Sequence, residues 1–264
     1  MRTIALMNQK GGSGKTTTAV NLAAALGAAG GRVLVIDLDP QASASDWLGV
    51  KDESRALLDV FAEGQPLAPL VRETSAAGVE LVPASAWLVG AEKALAGEVG
   101  AEQVFRRALD RLPSRWDYVL VDCPPSLGLL VISSLTACGE VLVPVEATTM
   151  PLKGLAALMG TIDRVRDRLN PALHVTGILA CRVDVRRRLS HEVVEKLRAT
   201  FDGTVFRTVI RENVRLAEAP SFAQPITVYD ARCSGAEDYT AAAEELAGRP
   251  SGGKQRTQRT QRKR

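Results

Sequence analysis

Residues 3–8, Thr-Ile-Ala-Leu-Met-Asn, read as a strand. They run into Lys10-Gly11-Gly12-Ser13-Gly14-Lys15-Thr16-Thr17, and an Ala/Leu-rich helical pattern follows over about 15–29. No other stretch restricts the fold as much. A glycine-rich loop between a strand and a helix lets backbone N–H groups turn toward a phosphate, and the helix N-terminus adds favourable partial charge. In that setting Lys15 is placed to neutralise phosphate oxygens and the Thr16 hydroxyl to bind Mg2+. The loop departs from the usual spacing, with four free positions between its first glycine and Gly-Lys-Thr, because it is compressed and carries a second lysine, Lys10, at its start.

The rest of the chain repeats the alternation of short β-branched runs and longer helical patterns. Strand-like runs occur at 32–37, 79–84, 118–122, 140–146, 175–183 and 204–210; helical patterns lie at 101–112, 151–169 and 190–200. Nearly continuous apolar strands separated by helices predict an α/β fold: a predominantly parallel twisted sheet with helices on both faces. No linker divides residues 1–248, which read as one domain. Residues 249–264 contain seven Lys/Arg, no acid and no apolar side chain, and are expected to form a disordered basic tail. The net charge of +3 therefore misleads, because without the tail 26 basic residues face 30 acidic ones. No apolar run approaches the roughly 18 residues of a membrane helix. The start of the chain enters a strand, with no leader pattern. The four cysteines are scattered and read as reduced thiols, which predicts a cytoplasmic location.

Two further runs end in carboxylates. Val33-Leu-Val-Ile-Asp37-Leu-Asp39-Pro-Gln places two aspartates past one strand, and Tyr118-Val-Leu-Val-Asp122-Cys-Pro-Pro places a third past another. Strand ends of such sheets face the phosphate crevice. Asp37 and Asp122 are expected to hold Mg2+ through water, and Asp39 to orient the attacking water. Pro124 and Pro125 would stiffen a switch loop. Residues 182–215 hold nine Lys/Arg against five acids, a local excess on an acidic body.

Lys-Gly-Gly-Ser-Gly-Lys-Thr resembles the signature of the ParA/MinD ATPases, the deviant form of the phosphate loop. The resemblance covers about residues 1–248 and implies a P-loop ATPase that uses ATP and Mg2+. It implies that Lys10 reaches across a two-fold axis to the phosphates held by a second copy, so that two ATP molecules are sandwiched in a homodimer. It makes Asp39 the hydrolysis residue and Lys10, Lys15 and Asp39 the catalytic set. Gly11, Gly12, Ser13, Gly14, Thr16 and Thr17 complete the phosphate cradle. The adenine would rest near Arg182, Asp184 and Asn213, although Ile210-Arg211-Glu212-Asn213 lacks the proline of the Ile-Pro-Arg-Asn of relatives. Glu212–Phe222 resembles the C-terminal stretch of ParA proteins, where arginines bind nonspecific double-stranded DNA. Arg186 and Arg215 match most directly, with Arg187 and Arg211 secondary. The implied function is slow, partner-stimulated ATP hydrolysis that segregates plasmid or chromosome DNA, with a ParB-type centromere-binding protein as partner and a nucleoid-associated location. One alternative is the same cycle moving a protein cargo of carboxysome type. Another, a MinD-like membrane cycle, needs an apolar C-terminal helix that the tail lacks. An iron-cluster carrier needs matched cysteines that are absent.

Overall fold

A computed structural model describes residues 1–147 and 152–250. The strands are β1 (Arg2–Leu6), β2 (Val33–Asp37), β3 (Arg72–Glu73), β4 (Val79–Val82), β5 (Tyr118–Asp122), β6 (Glu140–Glu146) and β7 (His174–Cys181). The helices are α1 (Lys15–Ala28), α2 (Ser43–Trp47), α3 (Ala56–Ala62), α4 (Ala91–Ala94), α5 (Val104–Asp110), α6 (Leu129–Ala137), α7 (Leu152–Arg168), α8 (Arg188–Thr200), α9 (Val214–Glu218), α10 (Ile226–Tyr229) and α11 (Ser234–Gly248). The strands form one sheet in the order β3-β4-β2-β5-β1-β6-β7. Every pairing is parallel except that of β3 with β4.

Strand geometry divides the apolar residues between two layers. Ile4, Leu6, Val33 and Val35 point into a core built with α1, α2, α10 and α11. Ala5, Met7, Leu34 and Ile36 point into a core built with α3, α5, α6, α7 and α8. Both faces are covered, so all five residues of β2 are buried and the strands read as apolar runs, without polar alternation. Register then fixes the site. Leu6 of β1 and Asp37 of β2 both lie opposite Asp122 of the intervening β5. The phosphate loop and the two aspartates therefore emerge at one level, at the centre of the C-terminal edge of the sheet.

The structure departs from the sequence expectation in several places. Residues 204–210 do not form a regular strand; they run beside β7 and its extension through the isolated bridges Ile178–Val205 and Val183–Arg211 and a hydrogen bond from the Ile210 N–H to Ala180 O at 2.8 Å. The reason is visible in the backbone. The N–H groups of Arg207 and Thr208 donate to the Glu245 carboxylate, each at 2.9 Å, which draws the segment away from the ladder while Phe206 and Ile210 stay buried. The helix expected from 101 opens as a 3-10 turn over Ala101–Gln103 before α5. β3, two polar residues long, gives no apolar signal. Arg249, assigned by composition to the tail, belongs to the folded body. Its guanidinium lies 3.9 Å from the centre of the Phe206 ring, binds the carbonyls of Thr176, Thr204 and Val205, and pairs with Glu245 at 2.8 Å. The remainder of the proposed tail, 251–264, lies outside the described residues.

Candidate active site

The loop after β1 turns into α1 through Gly14, whose φ of 93° lies in the left-handed region that favours glycine. Gly12, at φ 73°, makes the earlier reversal. A Cβ on Gly14 would sit 3.4 Å from Cys181 Cβ, so β7 backs the loop closely. No side chain caps the N-terminus of α1, and the N–H of Thr18 is the one that returns to Gly14 O, at 2.8 Å. The N–H groups before it are those a bound anion satisfies. Lys15 is almost fully buried beside them. Ser13 is buried and its hydroxyl has no hydrogen-bond partner among the described residues.

Lys10 is half exposed at the loop mouth. Its Nζ donates to Glu146 Oε2 at 2.6 Å, and the other Glu146 oxygen pairs with Arg182 at 3.1 Å. Asn8 secures this corner. Its amide donates to Pro144 O at 2.7 Å and its Oδ1 accepts the Lys10 N–H at 3.1 Å. Sequence reasoning missed Asn8 and Glu146. The only signal for Glu146 was an acid at the end of an apolar strand, as at Asp37 and Asp122.

The two aspartates are buried side by side with opposite hydrogen bonding. Asp37 accepts from the Ser45 N–H and Oγ–H at 2.9 and 2.7 Å and from the Asp39 N–H at 3.1 Å. Neither Asp122 oxygen has a hydrogen bond of good geometry among the described residues, although the Thr16 hydroxyl and the Lys15 charge are close enough to favour its ionised form. Burial pushes the Asp37 carboxyl up to about 6 against those three donors. Burial, then the charge of Asp37, push Asp122 well above the ordinary range. A pair of buried carboxylates next to a threonine hydroxyl is an all-oxygen donor set. This fits Mg2+, a hard ion held by one or two carboxylates, waters and phosphate oxygens. Asp39 sits on the loop that follows β2. Its Oδ1 accepts the Gln41 N–H at 3.0 Å, and its carbonyl accepts the Ala42 N–H at 2.8 Å.

A cavity of about 1020 Å³ runs from Gly12, Gly14, Lys15, Thr16 and Thr17 to Arg182, Asp184 and Asn213. The structure thus brings the expected phosphate and base regions into one space. A separate cavity of about 350 Å³ between α3 and α5 contains none of these residues. The side chains at the base end have other duties. The Asp184 carboxylate receives Arg186 at 3.2 Å and Arg187 at 3.1 Å. Asn213 caps α9 by accepting the Arg215 N–H at 2.7 Å and donates to Ser234 Oγ at 2.7 Å. Arg182 holds a left-handed φ of 53° at the end of β7. Asp184 and Asn213 therefore shape the cavity wall through internal bonds.

The four arginines singled out for a polyanion differ in the same way. Arg186 and Arg187 are largely exposed, each with one contact to Asp184. Arg215 is half exposed and pairs with Glu218 at 2.9 Å and with Asp230 at 3.8 Å. Arg211 is held by Asp238 at 2.7 Å and Glu237 at 2.9 Å. Its charge is balanced within the protein, and it fastens the 210–213 segment to α11.

A phosphate loop with no side-chain cap, beside two buried carboxylates, a lysine and a threonine hydroxyl, is the arrangement of a P-loop nucleotide hydrolase. Known proteins narrow that class. A family model described as an AAA domain matches residues 1–175. The sporulation initiation inhibitor protein Soj of Bacillus subtilis is 41% identical over 92% of this chain and 97% of its own. The chromosome-partitioning ATPase Soj of Thermus thermophilus is 47% identical over 94% of this chain and 96% of its own. Among solved structures, cobyrinic acid a,c-diamide synthase of Mycobacterium smegmatis, with bound ADP and magnesium, superposes with a TM-score of 0.81 at 31% identity. That match covers 94% of each chain. The chain belongs to the ParA/Soj family of partition ATPases.

Proposed function

We propose that this chain is an ATP-dependent partition protein whose ATP-bound homodimer coats nonspecific double-stranded DNA and is released when a ParB-type partner stimulates hydrolysis. The observation that carries the reading is the second lysine, Lys10, half exposed at the mouth of a phosphate loop that opens on the large cavity. The glycine N–H groups and Lys15 would grip the β- and γ-phosphates. Thr16, Asp37 and Asp122 would hold Mg2+, which spreads the charge that develops on the transferring phosphoryl group. Asp39 would orient a water so that its oxygen attacks the γ-phosphorus as the bond to the ADP oxygen breaks. Lys10 would leave Glu146 for the phosphates of the second copy. Arg186, Arg187 and Arg215 would contact DNA phosphates, which is sequence-blind binding that weakens steeply with salt. No helix among the described residues is long and apolar enough to cross a membrane, and the proposed location is the cytoplasm, at the nucleoid.

Asp39→Ala tests the cycle. With ATP and Mg2+ it should elute as a dimer, shift DNA in a gel and turn over about 100-fold more slowly, the scale of a lost proton-handling group. Arg215→Glu in that background should keep the dimer and lose the DNA shift. A single protomer in light scattering with ATP, Mg2+ and the Asp39 substitution all present would overturn the proposal.

A further inference from the structure

We propose that Ser45 is a positioning residue for phosphoryl transfer: it fixes the Asp37 carboxylate and, through it, closes the loop that carries Asp39. The inference rests on the nucleotide-hydrolysis reading above and concerns a residue outside the phosphate loop and the aspartate pair. Ser45 is the third residue of α2 and is 1% exposed. Its hydroxyl accepts the Ala84 N–H at 2.9 Å, just past the end of β4. A backbone N–H can only donate, so the hydroxyl proton is left for Asp37 Oδ2, at 2.7 Å. The Ser45 N–H reaches the same oxygen at 2.9 Å. Both lone-pair directions of Oδ2 are thereby taken. Oδ1 accepts only the Asp39 N–H at 3.1 Å, which leaves one direction free on this carboxylate. Asp37 can turn a single free lone pair toward a metal-bound water, and Ser45 decides which one.

The same bonds close a ring. The segment between Asp37 and Ser45 has its first turn tied to Oδ1 through Asp39 and its far end tied to Oδ2 through Ser45. Within it, Ala42 is held at φ 53°, a left-handed conformation that an alanine keeps only when its surroundings enforce it. Asp39 is a member of that ring, so its carboxylate is positioned by closure at Ser45. Removing the hydroxyl takes one of three donors from Asp37, orphans the Ala84 N–H and loosens the ring. The grip of Lys15 and the glycine loop on the nucleotide is untouched.

Ser45→Ala should therefore lower kcat about tenfold, the scale of one hydrogen bond to a charged group, with KM for ATP within about twofold. The Mg2+ concentration that half-saturates binding of a fluorescent ADP analogue should rise about fivefold, by part of the same effect. Amide exchange should accelerate at Asp39, Gln41, Ala42 and Ala84, and remain unchanged in α1 and β5. Ser45→Thr, which keeps the hydroxyl, should restore all three readings. Ser45→Cys, nearly the same shape with a weak donor, repeats the test if the alanine variant does not fold. The inference is overturned if Ser45→Ala or Ser45→Cys matches the wild type in kcat and Mg2+ midpoint. It is also overturned if Ser45→Thr is as impaired as Ser45→Ala, or if exchange accelerates throughout the chain. A wild-type protein that fails to bind the ADP analogue with Mg2+ would instead overturn the hydrolysis reading itself.

Discussion

At the start of β1, Arg2 meets Glu140 at 2.6 and 2.8 Å and donates to the carbonyls of Leu246 and Arg249, while Arg249 in turn is held by Glu245 and three carbonyls. At the other end of the same sheet, Asp37 and Asp122 lie buried next to each other, and Asp122 has Thr16 and Lys15 near it but no hydrogen bond of good geometry among the described residues. Both ends bury charge. The first balances it within the chain, with the ring Nε2 of His174, 3.9 Å from Glu140, left over. The second sets two carboxylates against the single charge of Lys15. An internally compensated cluster locks the sheet to α11 and to the exit of the C-terminal segment. An uncompensated one is a binding site held ready at a cost in stability, because unpaired buried charge is expensive.

Three substitutions bear on this contrast. The largest effect is expected at the compensated end. Glu140→Ala strands a buried guanidinium and should cost about 4 kcal/mol in denaturant unfolding, with ATP affinity unchanged in the material that folds. A similar loss of nucleotide affinity would show that the two ends are not independent. Next, Lys15→Ala should weaken ATP binding about 100-fold, roughly 3 kcal/mol, while thermal stability without ligand stays near the wild-type value. Normal ATP affinity would remove the phosphate-loop assignment.

The smallest effect concerns pH. The folded-state value of about 6 for Asp37, against an ordinary 3.8, means that the folded chain keeps a proton the unfolded chain releases. Stability contributed by Asp37 is therefore present below about pH 4 and lost as pH rises through about 6, and Asp122, pushed up by burial and then by Asp37, carries the loss to higher pH. Asp122→Asn removes the second buried carboxyl, whose own raised range belongs to the same slope. It should flatten the slope above about pH 6 and raise ligand-free stability at pH 7.5 by about 2 kcal/mol, the scale of an unsatisfied buried polar group. Melting curves of the two proteins at pH 4.5 and 7.5 isolate the effect, since all other titrating groups are shared. Equal slopes would mean that the pair is already compensated.

The phosphate loop was legible because its function requires a local sequence: glycines where φ is positive and a lysine and threonine that open a helix. The strands of the parallel sheet were legible because burial on both faces makes them continuous apolar runs. Asp37 and Asp122 were legible as acids at the ends of such runs. The failures have physical causes as well. The run 204–210 satisfies the strand pattern, yet Glu245, 38 residues from Arg207, takes the backbone donors that a ladder needs. Arg249 has the composition of a solvated tail, and only the Phe206 ring and three carbonyls supplied by distant segments make it part of the core. Arg211 counted as positive charge in a basic segment until Asp238 and Glu237, on a helix more than twenty residues later, neutralised it.

The sequence by itself determined the fold class, the phosphate loop and the order of the acidic strand ends, since each depends on residues that are neighbours in the chain. The tertiary structure alone decided which of two similar aspartates is held by three donors and which faces Thr16 and Lys15. It also decided that Glu146 holds Lys10, that Ser45 closes the Asp39 loop, and which arginines are neutralised internally. Those outcomes depend on which groups meet across the sheet edge, and hydrogen bonds and charges act over a few ångströms of space whatever the separation along the chain.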